Sequence, residues 1–211
     1  IGKDILRFHA GIWPGMLLSA GLPLPKTLFV HGFVTVDGRK MSKTVGNVAD
    51  PVELAAKFGS DAVRYYFLRE IPTSEDGDFR QNKFRERYNA DLVNGLGNFA
   101  SRVLALGKRN ADLRTHANKA KVESGITERI EAAKSAVRRG AEEFKFNEAL
   151  AAVWELLSFG DGYVNSEKPW ESGDWRVIFN LIVILDNAAA MLAPFLPQAA
   201  RKISSCIKWE S

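Results

Sequence analysis

At 211 residues, with 46% hydrophobic and 26% charged residues, the chain is long enough to bury a real core and too apolar for a disordered tail. Its net charge of +4 allows a polyanionic partner without requiring one. A single cysteine, Cys206, excludes an internal disulfide framework and a cysteine-rich metal site, and no apolar run reaches the roughly 20 residues of a membrane span.

In chain order, Ile5, Phe8, Ile12, Met16 and Leu17 keep helical spacing, and Gly21 to Pro25 end that helix. His9 and Trp13 lie four apart beside Phe8, as core packing or as a pocket wall, and Asp4 is placed to cap. Residues 27–36 are β-branched and aromatic, predicting one strand or two short ones broken at Gly32. Asp37-Gly38 is a tight-turn signal. Asp50-Pro51-Val52-Glu53 starts a helix with Leu54, Ala55 and Phe58 inward, and Gly59 stops it. The next helix begins at Ser60 and turns Ala62, Val63, Tyr66 and Phe67 inward.

The polar, acidic run at 72–78 places a boundary, giving units 1–75 and 76–211. Beyond it strand signals give way to helical periods. Leu92, Leu96, Phe99, Val103 and Leu106 form one apolar stripe. A basic linker at 107–125 follows, which is solvated surface or a polyanion contact. Three more helices carry Ile126, Ile130, Ala133 and Val137; Leu150, Val153, Trp154 and Leu157 over 147–159; and Ile178, Leu181, Ile182 and Leu185 over 175–192. Pro194 and Pro197 break the last, and an amphipathic segment runs to about Ile207. The expected fold is mainly α: an antiparallel helix bundle preceded by a small α/β region.

The chemistry-bearing stretch is Gly38-Arg39-Lys40-Met41-Ser42-Lys43-Thr44. Two lysines three apart, with hydroxyls between them and glycines on either side, suit a polyphosphate: amides and hydroxyls donate while ammonium groups neutralise charge. Read alone, the same residues also make an ordinary solvated loop.

Three segments together carry a resemblance: Gly2-Lys3-Asp4-Ile5 with Phe8-His9 and Trp13-Pro14; His31-Gly32-Phe33-Val34-Thr35-Val36-Asp37-Gly38; and Lys40-Met41-Ser42-Lys43-Thr44. They resemble the second half of the catalytic domain of the methionyl-tRNA synthetases, within the class I aminoacyl-tRNA synthetases. The lysine tetrad is shared across the class, and the first segment discriminates methionine. Thr44 stands where the family pattern has Ser, keeping the hydroxyl. Asn98-Phe99-Ala100-Ser101-Arg102 and Tyr163-Val164-Asn165 with Pro169-Trp170 resemble the family's anticodon-binding domain. The family's His-Ile-Gly-His-type motif and zinc-bearing insertion are absent from these 211 residues, and the chain opens on Ile1 without a leader segment. A C-terminal portion is therefore expected, lacking the first half of the catalytic domain, from a cytoplasmic protein.

The resemblance implies ATP-dependent ligation of methionine to its tRNA through methionyl-adenylate. It implies catalytic roles for Lys40 and Lys43, and ATP contacts from Gly2, Asp4, His31, Val34, Met41, Ser42 and Lys43. Ile5, Phe8, His9 and Trp13 would face the methionine side chain, whose polarizable thioether suits aromatic walls. Asn98, Arg102 and Trp170 would take the anticodon: an amide for base edges, a guanidinium, and an indole outside any apolar stripe. ATP with Mg2+ is the implied cofactor set, no metal site falls in this chain, and zinc is left to the missing N-terminal part. Methionine tRNA, methionine and ATP are the implied partners, and no membrane is. A second reading is a stand-alone tRNA-binding module that activates nothing. Other class I synthetases, cysteinyl or leucyl, and a basic helical scaffold with a chance lysine motif are the remaining alternatives.

Overall fold

The computed structural model describes residues 1–41, 49–116 and 120–207. A 3-10 turn (Lys3–Ile5), a π-helical turn (Phe8–Ile12) and α1 (Trp13–Ser19) open the chain, followed by β1 (Val34–Val36), β2 (Arg39–Lys40), α2 (Pro51–Phe58), α3 (Ser60–Glu70) and β3 (Gly77–Phe79). Then come α4 (Gln81–Arg87), a π-helical stretch (Tyr88–Gly97), α5 (Asn98–Arg109), α6 (Ala111–His116), α7 (Ser124–Glu142), α8 (Phe146–Glu167), α9 (Pro169–Ser172), α10 (Trp175–Leu192) and α11 (Pro197–Cys206). The molecule is mainly α, a helix bundle preceded by a small α/β region, as the periodicities predict.

The sheet has three strands in the order β2-β1-β3. β1 and β2 form an antiparallel hairpin with Val36 opposite Arg39. Both loop residues have positive φ, 50° at Asp37 and 72° at Gly38. This is the geometry that matches the twist of two-residue hairpins, and Asp-Gly adopts it readily. β3 runs parallel to β1 with Thr35 opposite Asp78. It falls in the run that sequence offers as a loop, and it lies beyond residue 75. Gly-Asp-Phe has little strand propensity of its own; pairing with β1 makes the strand.

The expected strand at 27–36 is shorter in the fold. Only Val34–Val36 sits in the ladder, and His31 makes one isolated parallel bridge to Gly2. Gly32 is the break: a Cβ there would lie 2.0 Å from the Glu75 carbonyl oxygen, so only glycine permits the close approach of the two backbones.

In the bundle, neighbouring long helices run antiparallel. The α7–α8 hairpin brings Gly140 against Ala149, and α8 meets α10 where Gly160 faces Ile184. Gly160 also seats Phe99 of α5: a Cβ there would stand 2.6 Å from the ring. Phe99, Val103, Leu150, Val153, Leu181, Ile184 and Leu185 are completely buried in this core. Asn180, the buried polar side chain among the described residues, is satisfied: Nδ2 donates to Glu123 at 2.7 Å and to the Tyr163 hydroxyl at 3.2 Å, and Oδ1 accepts from the Glu123 amide. Burial pushes the Tyr163 phenol up to about 12.

Some helices depart from expectation. The opening helix is a 3-10, π and α succession with no buried residue, and Gly2 rather than Asp4 precedes it. The 107–125 linker contains α6, started by the Asn110 side chain accepting the Leu113 amide. α8 continues well past 159, to Glu167. α10 is apolar enough in length and composition to cross a membrane, at a mean hydropathy of 1.5, and 67% of it is buried inside the bundle. It is the bundle's central helix.

α3 fastens the α/β region to the bundle. Arg64 donates to the carbonyls of Pro194 and Phe195, and Asp61 accepts the Ala199 amide at the start of α11. The Tyr65 ring lies 4.7 Å from that of Trp154, and the Tyr65 hydroxyl donates to Asp91. Farther along, Phe29 stacks on Phe144 at the tip of the α7–α8 hairpin, 4.3 Å between centroids.

Candidate functional site

The described start of the lysine-bearing segment, Gly38 to Met41, runs on from the turn of the β1–β2 hairpin, with Lys40 in β2, and Asp78 of β3 holds that turn. One Asp78 oxygen accepts both the Thr35 hydroxyl and the Gly38 amide, each at 2.7 Å; the other accepts Arg80 Nε at 2.8 Å. Arg80, with the Gly38 amide and the Thr35 hydroxyl, holds the Asp78 carboxyl down at about 2. Two residues earlier on the same edge, Asp76 accepts both Lys3 Nζ, at 2.6–2.7 Å, and the Phe33 amide at 2.8 Å. The Lys3 ammonium also lies 4.7 Å over the Phe33 ring. These bonds hold the Asp76 carboxyl below the usual carboxylate range, Lys3 contributing most.

Of the residues singled out for ATP, Gly2, Asp4 and His31 come together. The Gly2 backbone bridges His31, and a Cβ on Gly2 would meet the Asp4 carboxylate at 2.8 Å and the His31 ring at 3.9 Å. The missing side chain at Gly2 is what lets the Asp4 carboxylate pack this close to the backbone. His31 Nδ1 donates to the Gly32 carbonyl at 2.9 Å, which fixes its tautomer. Val34 lies in β1, and the Lys40 backbone pairs opposite Thr35, with Met41 just after it. Ser42 and Lys43 lie outside the described residues.

Ile5, Phe8, His9 and Trp13 share one helical stretch, and none of them is buried. His9 and Trp13 meet edge to face at 6.0 Å, and His9 Nδ1 donates to the Ile5 carbonyl. Phe8 is 56% exposed and Ile12 53%, so an apolar strip faces outward.

In the bundle, Arg102 is held by α8: it pairs with Asp161 and donates to Asn165 Oδ1 at 3.0 Å. Asn98, one turn earlier on α5, is exposed. Trp170 is 51% exposed on the short α9, while its neighbour Pro169 is buried. Trp154, by contrast, is half-buried against the core, as its place on the apolar stripe predicts. The buried Pro169 anchors α9, so the indole beside it projects from a fixed base.

Sequence reading missed Asp76, Asp78, Arg80 and Asp161. The alternation Asp76-Gly77-Asp78 was the available signal: at strand period two, both carboxylates point to one face.

Two family models match the chain. Residues 1–104 match "tRNA synthetases class I (M)", and residues 123–211 match "Anticodon-binding domain of tRNA ligase". The methionine–tRNA ligase of Thermotoga maritima is 36% identical across the whole chain, and that of Nostoc sp. is 40% identical over 96% of it. The chain belongs to the methionyl-tRNA synthetase family. Among solved structures, the Mycobacterium tuberculosis methionyl-tRNA synthetase in complex with methionyl-adenylate superposes with a TM-score of 0.81 at 36% identity. That match covers 97% of this chain and 42% of the synthetase. The chain thus spans 35–42% of the length of these relatives. Asn98 and Arg102 fall inside the first synthetase match and Trp170 inside the second.

Proposed function

We propose that the protein to which this chain belongs joins methionine to its tRNA in two steps driven by ATP. The methionine carboxylate attacks the α-phosphate, forming methionyl-adenylate and releasing pyrophosphate. A ribose hydroxyl of the tRNA end then takes the acyl group and AMP leaves. The observation that carries this reading is the geometry around the hairpin. A clasped tight turn leads into the lysine segment from an extended run whose other end, His31, bridges Gly2, beside which Asp4 lies.

In this reading Lys43, supported by Lys40, stabilises negative charge on the departing pyrophosphate, while Met41 and Ser42 contact ATP. Asp4 accepts ribose hydroxyls, Gly2 lets the nucleoside approach, and His31 and Val34 border the adenine. Ile5, Phe8, His9 and Trp13 supply apolar and aromatic surface for the methionine side chain. Asn98, Trp170 and a pre-oriented Arg102 read the anticodon. ATP enters as its magnesium complex. Among the described residues no group of three or more His, Cys, Asp or Glu is gathered for a metal, so no step is assigned to zinc.

The 211-residue chain taken by itself is a tRNA-binding module that does not activate methionine: its bundle has a core of its own, and it spans little more than a third of its relatives. Methionine-dependent ATP–pyrophosphate exchange by the longer protein tests the enzymatic reading. Lys43→Ala should slow exchange about 10²–10³-fold, the usual cost of removing one transition-state charge donor, with methionine affinity unchanged. Unaltered exchange in that variant would remove Lys43 from the chemistry.

A further inference from the structure

One cleft, at the corner of α6 and α10, has no role in the reading above. It encloses about 400 Å³ and is lined by His116, Ala120, Lys121, Trp175, Arg176 and Phe179. Phe179 is a buried floor and Trp175 a half-buried wall. His116 stacks on Trp175 with centroids 5.2 Å apart and planes 22° from parallel, and the Arg176 guanidinium lies 5.1 Å over the same indole. His116 Nδ1 donates to the Asp112 carbonyl at 2.9 Å, leaving Nε2 as the nitrogen for a ligand. Lys121 and Arg176 are exposed, and no carboxylate is among the described residues that line the cleft. Asp174, the nearest acid in sequence to Arg176, is occupied in accepting the Arg176 backbone amide at 2.9 Å.

Two cations and an imidazole over aromatic walls, with no acid among the described lining residues, form a phosphate-seeking surface rather than a site for an apolar or cationic ligand. Its place identifies the phosphate. The loop that carries Trp170 runs directly into Trp175, five residues on, and five residues reach at most about 18 Å. Asn110 Nδ2 donates to the Gly173 carbonyl at 3.0 Å, tying the middle of that loop to the end of α5. The two aromatic stations therefore stand at fixed spacing on one end of the bundle. With Trp175 already contacted by His116 and by Arg176, the cleft suits a backbone better than a stacked base.

We propose that this cleft grips the sugar-phosphate backbone of the RNA strand beside the base stacked on Trp170, with Lys121 and Arg176 as the phosphate contacts and His116 as a hydrogen-bonding partner. The proposal rests on the anticodon reading of Trp170. The test is equilibrium binding of a tRNA transcript with the CAU anticodon to the 211-residue chain across a salt series. The double substitution Lys121→Gln with Arg176→Gln should lower the slope of log K against log salt by about 1.4, roughly 0.7 for each single-strand phosphate contact. The charge-conserving pair, Lys121→Arg with Arg176→Lys, should keep the slope. Both pairs alter exposed side chains, and matching thermal melts confirm an intact bundle. If Trp170→Ala weakens binding while the neutralised pair keeps both slope and affinity, the cleft proposal is overturned and the anticodon reading stands. If Trp170→Ala has no effect, the anticodon reading fails and takes the proposal with it.

Discussion

Among the described residues, twenty-six buried residues form the bundle's core, Tyr65 of α3 being one of them. The α/β region's own cluster holds four buried residues among those described, Ala62, Tyr66, Phe79 and Phe84. What the smaller region lacks in burial it replaces with polar fastening: Asp78 on the hairpin turn, Asp76 on Lys3 and Phe33, Arg64 on the α10–α11 loop. The two regions hold their candidate sites accordingly. Trp170 stands on a helix that is seated by buried Pro169 and whose end is tied to α5 by the Asn110–Gly173 hydrogen bond. β2, which carries Lys40, follows a two-residue turn kept in shape by the Asp78 carboxylate. A recognition site that must present a constant surface suits the first arrangement. A loop that must follow phosphates through a reaction and then release them suits the second.

The sharpest way to break that comparison is to truncate one buried ring in the bundle and one exposed ring in the α/β region. Phe99→Ala should cost about 3–5 kcal/mol of stability, measured by urea unfolding, because Phe99 is fully buried against Gly160. Phe8→Ala, on the outward apolar strip, should change stability by less than about 0.5 kcal/mol. A large loss at Phe8 would mean that the opening helix belongs to a packed core after all.

Next in size is the indole. Trp170→Ala should weaken tRNA binding by about 1–3 kcal/mol, the usual worth of one base stacked on an aromatic ring, with unfolding unchanged.

The polar fastening carries its own pH dependence. Asp78 is held near 2 against an ordinary 3.8, so its folded pKa is depressed. Its contribution is therefore complete above pH 3.8 and is lost as pH falls toward 2. The Gly38 amide resonance, followed by NMR through that window, should titrate with Asp78, and Asp78→Asn should abolish the titration. A Gly38 shift centred near 4 would mean that Asp78 holds the turn only loosely. Smallest is the helix start at Asp50, whose side chain accepts the Val52 amide at 2.7 Å. Asp50→Ala should cost about 1 kcal/mol by the same urea measurement.

Most of the bundle was legible in sequence because helical periodicity repeats over many turns. Leu96, Phe99, Val103, Ile126, Ile130, Leu150, Val153, Leu181 and Leu185 all lie where their spacing puts them. The Asp37-Gly38 turn and the Asp50-Pro51 helix start were legible for the opposite reason, since each depends on one or two residues with narrow preferences. β3 and α6 were not. Each is short, and each exists because something distant holds it: β1 for Gly77–Phe79, and α10 for Ala111–His116, whose Leu113 packs against Ile178 and Phe179. The same holds for site residues. Gly2, Asp4 and Trp170 were singled out by local chemistry and resemblance, whereas the contacts of Asp78 and Asp161 exist only once β1 and α5 are beside them.

The division of labour between the regions is the central claim, and one paired assay on the longer protein tests it: methionine-dependent pyrophosphate exchange and tRNA charging, both measured for Trp170→Ala. Charging at limiting tRNA should fall about 5- to 150-fold, the rate equivalent of a lost 1–3 kcal/mol base stack, while exchange stays at the wild-type rate. Parallel loss of both activities would contradict the account, because Trp170 would then support the structure of the whole enzyme rather than the reading of its RNA.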